Sequence, residues 1–170
     1  MPSSEERPNE DALFLADGVA VVVDGAGLPR SMRAGCRHSV AWYSNELART
    51  FGTALLDRVL TMPQALSRAI TEVSQRHGGC SLVKGSPSAT VAAWRLRPAL
   101  VEYLVLCDAS VVVANDDDVI EITDDRLAVL MAEQLGQATA AAGNNMLTAS
   151  AILEARGTVL ESSRNVAGGF

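Results

Sequence analysis

The sequence predicts an α+β layered sandwich, with sheets inside and helices outside. Two observations along the chain point to it. Apolar runs with strand and helix periods alternate in the order β-β-α-α-β-β-β-β-α-α. The four middle strands are short and joined by tight turns, the pattern of an antiparallel meander. Composition supplies a third. Hydrophobic residues are 48% and charged residues 20% of 170, which excludes wholesale disorder. Two Trp, two Tyr and three Phe leave the core to Val, Leu and Ala. A chain of this length makes one domain, 1–170, able to bury roughly 70% of its unfolded surface.

The elements follow in order. Residues 1–10 read as a frayed lead-in. Ala12–Leu15 is a short strand, and Asp17-Gly18 a turn. Val19–Val23, four valines and an alanine, reads as a strand buried on both faces. Asp24-Gly25-Ala26-Gly27-Leu28-Pro29 is a loop. From Ser39 the period becomes helical: Val40, Tyr43, Leu47, Phe51, Leu55 and Val59 form one stripe, with Gly52 weakening its middle. Thr61 caps a second helix with Pro63 in its first turn, and Leu66, Ala69, Ile70 and Val73 continue an apolar stripe. His77-Gly78-Gly79 stops it. Ala89–Leu96, Val101–Leu106, Ser110–Ala114 and Val119–Ile122 are strands. Asn115 to Asp118 is a solvated turn. Asp124 opens a helix to about Ala142. A further helix runs from about Met146 to Arg156, and Val159 to Phe170 is a weak strand or loop.

Charge and cysteine usage narrow the function. The formal charge is −6, without basic stripes, so nucleic acid and anionic membranes are poor partners and cations are better ones. The longest apolar runs, Val19–Val23 and Leu104–Cys107, are far too short to span a bilayer. The polar, acidic N-terminus lacks a signal peptide, so a cytoplasmic location is expected. Cys36, Cys80 and Cys107 are odd in number and lack CxxC spacing. Neither a disulfide framework nor a zinc knuckle is expected, only packed, reduced thiols.

Two acidic clusters lie at strand ends beside turns, Asn9-Glu10-Asp11 and Asp24-Gly25. A hairpin would bring Glu10, Asp11 and Asp24 together. Gathered carboxylates repel unless a divalent cation neutralises them, and hard oxygen ligands suit Mg²⁺ or Mn²⁺. Gly25 would let a backbone carbonyl approach such an ion. The same residues also serve as plain turns and caps, and the pattern leaves both readings open. Asp108, between two apolar strands, carries the same pair of readings. His38 reads as a capping or structural residue at a helix start, or as a general acid titrating near neutral pH. His77 reads as structural, and Trp42 and Trp94 as core or boundary anchors.

Taken in order, several motifs resemble those of the metal-dependent protein phosphatases, the protein phosphatase 2C family. Arg7-Pro8-Asn9-Glu10-Asp11-Ala12 is similar to the family's opening motif. Val21-Val22-Val23-Asp24-Gly25-Ala26-Gly27 is similar to its strand followed by Asp-Gly-x-Gly. Ser88-Ala89-Thr90-Val91-Ala92 resembles a Gly-(Ser/Thr)-Thr strand, and Cys107-Asp108-Ala109 stands where the family has Gly-Asp-Ser. Val119 to Asp125 resembles the hairpin exit, and Gly35-Cys36-Arg37-His38 with Trp42-Tyr43 resembles a divergent actinobacterial-type subgroup. The resemblance implies a four-layer α-β-β-α sandwich, C-terminally incomplete here. It implies two Mn²⁺ or Mg²⁺ ions, with a third, weaker site, and hydrolysis of phosphoserine or phosphothreonine in proteins by a metal-bridging hydroxide. Carried over, Asp24 would bridge both ions and Gly25 would offer its carbonyl. Glu10 and Asp11 would bind or orient the second ion and its waters, and Asp108 would hold the third. Arg7 would clamp the substrate phosphate.

The departures define the alternative. The family's later Asp-Gly and Asp-Asn segments have no counterpart before Phe170. Ala26 stands where some members carry a histidine, and Arg7 is one residue closer to Glu10 than usual. The alternative is a catalytically inactive pseudophosphatase serving as a binding or regulatory module.

Overall fold

The computed structural model describes residues 8–26, 36–80, 86–142 and 152. Arg7, the expected helix from Met146 (Ile152 apart) and the stretch from Val159 lie outside the described residues.

The first two strands, β1 (Asp11–Ala16) and β2 (Val19–Ala26), form a hairpin through Asp17-Gly18. Gly18 has φ 66°, the left-handed conformation that a two-residue hairpin turn requires and that glycine adopts freely. Its carbonyl accepts the Leu96 N–H at 2.8 Å, tying the turn to the next strand. Two helices follow. Helix α1 (Val40–Leu55) starts at Ser39, whose side chain accepts the Trp42 N–H at 3.0 Å. The expected cap position is therefore filled by Ser39, and His38 lies just before it. Helix α2 (Met62–Gln75) opens with a capping box. Thr61 accepts the Gln64 N–H, Gln64 accepts the Thr61 N–H at 3.0 Å, and Pro63 sits in the first turn.

The chain then returns as β3 (Ser88–Arg97) and β4 (Leu100–Leu106), completing a four-stranded antiparallel sheet in the order β1-β2-β3-β4. The next pair, β5 (Ser110–Ala114) and β6 (Val119–Thr123), forms a second, two-stranded sheet, with the exposed Asn115 to Asp118 turn between them. Asn115 Oδ1 accepts the Asp117 and Asp118 N–H groups, so the acidic run is a hydrogen-bonded, solvated turn. Helix α3 (Arg126–Ala142) closes the described order. The α+β class and the antiparallel pairing are as the sequence predicts, but the expected four-strand meander is divided: β3 and β4 join the first sheet, while β5 and β6 form the second.

Strand alternation decides which side chains meet the helices. Val19, Val21 and Val23 of β2, Ala12 of β1 and Val91 and Ala93 of β3 point to one face. They pack against Leu47, Phe51 and Leu55 of α1 and Ala65, Leu66 and Ala69 of α2. Each fully buried Val, Leu or Phe contributes about 1.5–3 kcal/mol over its exposed state. Val22, on the other face, is 48% exposed. The all-apolar run Val19–Val23 is thus not a strand buried on both faces. Its outer face looks onto the small second sheet only at one end, while Leu13, Leu15, Val101 and Tyr103 on that same face are more than half exposed.

Two details of α1 also depart from expectation. Val59 is 90% exposed and not part of the stripe, because the helix ends at Leu55. Beyond it the Leu55, Asp57 and Leu60 carbonyls all turn to the guanidinium of Arg95. In α2, Leu66, Ala69 and Val73 are buried while Ile70 sits at the edge, 39% exposed. Gly52 does not merely weaken α1. A Cβ built there would strike the ring of Phe14, so the missing side chain lets helix and strand approach. Gly52→Ala gains about 1 kcal/mol of helix propensity but overpacks this contact, for an expected net loss of about 1–2 kcal/mol. Urea denaturation at constant m-value measures it, and a variant as stable as wild type would contradict this packing.

Candidate metal centre

The hairpin does what the two acidic clusters require. Asp11 lies directly opposite Asp24 across the β1–β2 pair, on the same face of the sheet. Like charges so placed destabilise an antiparallel pair. Glu10 precedes Asp11, and its carbonyl accepts the Gly25 N–H at 3.1 Å. Gly25 is packed against α1: a Cβ there would meet Ser44 Oγ and come within 2.5 Å of the Glu10 carbonyl oxygen. No other residue fits between strand and helix at this point. On the other side Asp24 pairs with Thr90 of β3, so Asp24 is central in the sheet.

Asp108 arrives from the turn between β4 and β5. With Asp24, Thr90 and Ser110 it borders a cavity of about 220 Å³ floored by Val22 and Ala92. Cys107 makes the turn, at φ 63°, with its side chain buried and Asp108 exposed beside it. A left-handed conformation strains a residue with a Cβ by roughly 1–2 kcal/mol. Burial, then the Asp124 and Asp108 charges, push the Cys107 thiol up to about 11, so it stays protonated and packed.

Asp124, which the sequence suggests only as a helix opener, holds this turn in place. One carboxylate oxygen accepts the Cys107 N–H at 3.1 Å, and the pair meets Arg126 in a two-pronged contact at 2.7 and 2.6 Å. Thr123 Oγ1 adds a bond to the Ala109 carbonyl. The Arg126 hydrogen bonds hold the Asp124 carboxyl down at about 2, below its ordinary 3.8. The sign follows: this stabilisation is full above about pH 3.8 and is lost as pH falls through about 2. With Arg126 half exposed, its size is on the order of 1 kcal/mol. Asp124→Asn is therefore expected to lower the urea midpoint at pH 7 and to match wild type near pH 2. An equal deficit at both pH values would refute the ionic role.

The carboxylate set itself runs the opposite way. Burial raises the Asp24 pKa, and the hydrogen bond to Asp11 and the charges of Asp11, Asp108 and Glu10 raise it further. The side chains thus form a group that is better off sharing a proton or a cation than standing ionised together. Asp11 and Asp24 stand opposite each other across the hairpin with Glu10 and Gly25 beside them, and Asp108 borders the same cavity as Asp24. Carboxylate oxygens suit a hard divalent ion, but among the described residues no three carboxylates bring their oxygens within 4.8 Å of one another. Arg7 lies outside the described residues.

His38 goes elsewhere. Its ring stacks on Trp42 at 4.1 Å and meets His77 edge-on at 4.8 Å, and its Nδ1 lies 3.5 Å from Cys80 Sγ and 3.9 Å from Cys36 Sγ. The cysteines, expected as packed, reduced thiols, are free, and two of them, Cys36 and Cys80, lie with His38 in one group. The α1–α2 hairpin places the segment entering the first helix beside the segment leaving the second. The signal in the sequence was Cys36-x-His38 with His77-x-x-Cys80, a spacing that a search for CxxC passes over.

Comparison of the structure with solved ones now has a geometry to rest on. The PPM Ser-Thr phosphatase MsPP from Mycobacterium smegmatis, in complex with cacodylate, is similar with a TM-score of 0.56 at 16% identity, over 92% of this chain. This chain has the PPM phosphatase fold. It spans 60% of the length of MsPP. The serine/threonine phosphatase PstP/Ppp of Mycobacterium tuberculosis matches over 74% of this chain and 53% of its own, at 15% identity and a TM-score of 0.47. No family model matches the sequence, and no curated protein does. In the PPM fold as this chain builds it, the acidic hairpin end and the Asp108 turn face each other at the edge of the two sheets.

Proposed function

We propose that this domain hydrolyses phosphoserine or phosphothreonine in proteins with the aid of Mn²⁺ or Mg²⁺. One observation supports the reading above the others: within a PPM fold, Asp11 and Asp24 stand opposite each other and Asp108 shares a cavity with Asp24. Asp24, central and flanked by carboxylates, would hold two ions, with the Gly25 carbonyl beside it. Glu10 and Asp11 would hold or orient the second ion's waters, and Asp108 a third, weaker ion. When bound, such ions supply positive charge for the phosphoryl oxygens and an activated water.

The chain's own residues set the terms. Asp24 and Asp11 repel across the strand pair, and a cation held there would relieve that repulsion. The turn held by Asp124 fixes where Asp108 sits. Arg7 would contact the substrate phosphate in a bidentate, charge-assisted way. The substrate is a phosphoprotein. Among the described residues no helix is long and apolar enough to cross a membrane, and we assign the domain to the cytoplasm.

The test is Mn²⁺ titration by calorimetry together with p-nitrophenyl phosphate hydrolysis, with and without EDTA. Hydrolysis that requires Mn²⁺ and is lost in Asp24→Asn is the expected result. Binding without turnover would turn the reading to a pseudophosphatase that keeps a metal as a binding module. No binding would overturn both.

A further inference from the structure

A second cluster of ligand-type side chains lies away from the carboxylates, at the open end of the α1–α2 hairpin. Cys36 and His38 lead into α1, and Cys80 follows α2. Sγ of Cys36, Sγ of Cys80 and Nδ1 of His38 all lie within 4.8 Å of one another, and all three residues are partly buried. In a tetrahedral zinc site, bonds of about 2.3 Å to sulfur and about 2.0 Å to nitrogen put neighbouring ligand atoms roughly 3.5–3.8 Å apart. The Cys80–His38 separation of 3.5 Å already meets that value, and the Cys36–His38 separation of 3.9 Å is just outside it.

The imidazole is held in the orientation a ligand needs. Trp42 stacks on its face with an interplanar angle of 24°, His77 closes its edge, and Nδ1 is left toward the two thiols. His77 adds an independent observation. It is 5% exposed, and its Nδ1 is within 2.9 Å of the Val73 carbonyl, which can only accept. Its Nε2 is buried with no hydrogen-bond partner among the described residues. A buried polar atom left so is costly, and it lies in the same ring cluster as a two-thiol, one-imidazole set.

We propose that Cys36, His38 and Cys80 bind a borderline-soft transition-metal ion of the Zn²⁺ class, with water as the fourth ligand. Thiolate and imidazole select this class, whereas the carboxylates by β1 and β2 select hard ions, so the two sites load independently. The bound ion clips the entrance of α1 to the exit of α2, across the 42 positions that separate His38 from Cys80, and stabilises the helix layer that backs the acidic hairpin.

Cobalt substitution tests this on the full chain, kept reduced. Co²⁺ is titrated into metal-free protein and then displaced with Zn²⁺. The expected result is one equivalent with a thiolate-to-cobalt charge-transfer band and tetrahedral visible bands, bleached by Zn²⁺. Cys36→Ser and Cys80→Ser should each weaken binding by roughly 100-fold or more, beyond what losing an outer-shell partner costs. Cys107→Ser and Asp24→Asn should leave the band unchanged. Absence of a thiolate band in the reduced wild-type protein overturns the site, and that reading needs no variant to fold. A band that survives both serine variants, or that disappears in Cys107→Ser, overturns the assignment. Isolation of the chain with a Cys36–Cys80 disulfide that forms in preference to metal loading also overturns it, in favour of a redox pair.

Discussion

Asp24→Asn is expected to abolish the proposed Mn²⁺-dependent hydrolysis and at the same time to make the metal-free domain more stable at neutral pH. Both effects come from one position. Asp24 sits on the central strand opposite Asp11, with Asp108 and Glu10 near, and burial together with these neighbours raises its pKa. For a carboxyl raised in the folded state, the stabilising contribution is present below the ordinary value of 3.8 and is lost as pH rises through the raised one. At pH 7 the ionised Asp24 therefore opposes folding in the absence of cations. Asparagine keeps the shape and removes the charge, so the metal-free variant should gain up to about 1 kcal/mol at pH 7 and nothing at pH 3. Mn²⁺ should raise the melting temperature of wild type through mass action and leave the variant unmoved. Turnover should fall by at least about 100-fold, the scale on which single charge-stabilising groups act. Thermal melts at both pH values, with and without Mn²⁺, read all of this. A variant that still responds to Mn²⁺ would remove Asp24 from the site.

Arg95→Met is expected to cost about 2–4 kcal/mol, because it leaves three carbonyl acceptors without their donor at about 1–3 kcal/mol for each that stays buried and unpaired. Arg95 is 0% exposed, in register with Val19 on the helix-covered face of the sheet. Its guanidinium donates to Glu102 at 2.5 Å, to the Leu55 and Asp57 carbonyls at 3.3 Å each, and to the Leu60 carbonyl at 2.6 Å. Those three carbonyls belong to the end of α1 and the turn into α2. A helix end has carbonyls with no partner in the helix, and here an arginine from the sheet meets them. Methionine fills the volume but offers no donor. Glu102 retains Arg97 at 2.8 Å, so the loss falls on the carbonyls. Against a total of 5–15 kcal/mol typical of domains, such a loss leaves a marginal protein. The midpoint of urea unfolding reads it. A shift under about 1 kcal/mol would mean the turn finds water instead.

These two positions show where sequence reading succeeds and where it stops. Asp24 was legible. It ends a valine run beside a glycine, and an acid there has few uses. Arg95 was not. Within Ala89–Leu96 it interrupts an apolar strand, and only the packing of α1 against β3 explains why a guanidinium belongs in the core. Val22 and Val59 fail for a related reason. Both are apolar and in period, yet exposure depends on what lies over them, and periodicity describes a face without saying what covers it. Gly52 reads as a weak point in a helix until the Phe14 ring is found against it.

By itself the sequence determined the local chemistry: the period-two and period-3.6 runs, the Ser39 region and Thr61 starts, the Asp17-Gly18 turn, and the acids at strand ends. These are short-range properties, set by backbone sterics and side-chain alternation over a few residues. Only the tertiary structure decided which distant residues meet. It set Asp108 beside Asp24 across 84 positions, and brought Cys36 and His38 to Cys80 at the ends of two different helices. The reason is physical. Contacts of that kind arise from the packing of whole faces, and the free energy of a buried face belongs to all of its residues together, so the spacing within each segment does not say which other segment it will meet.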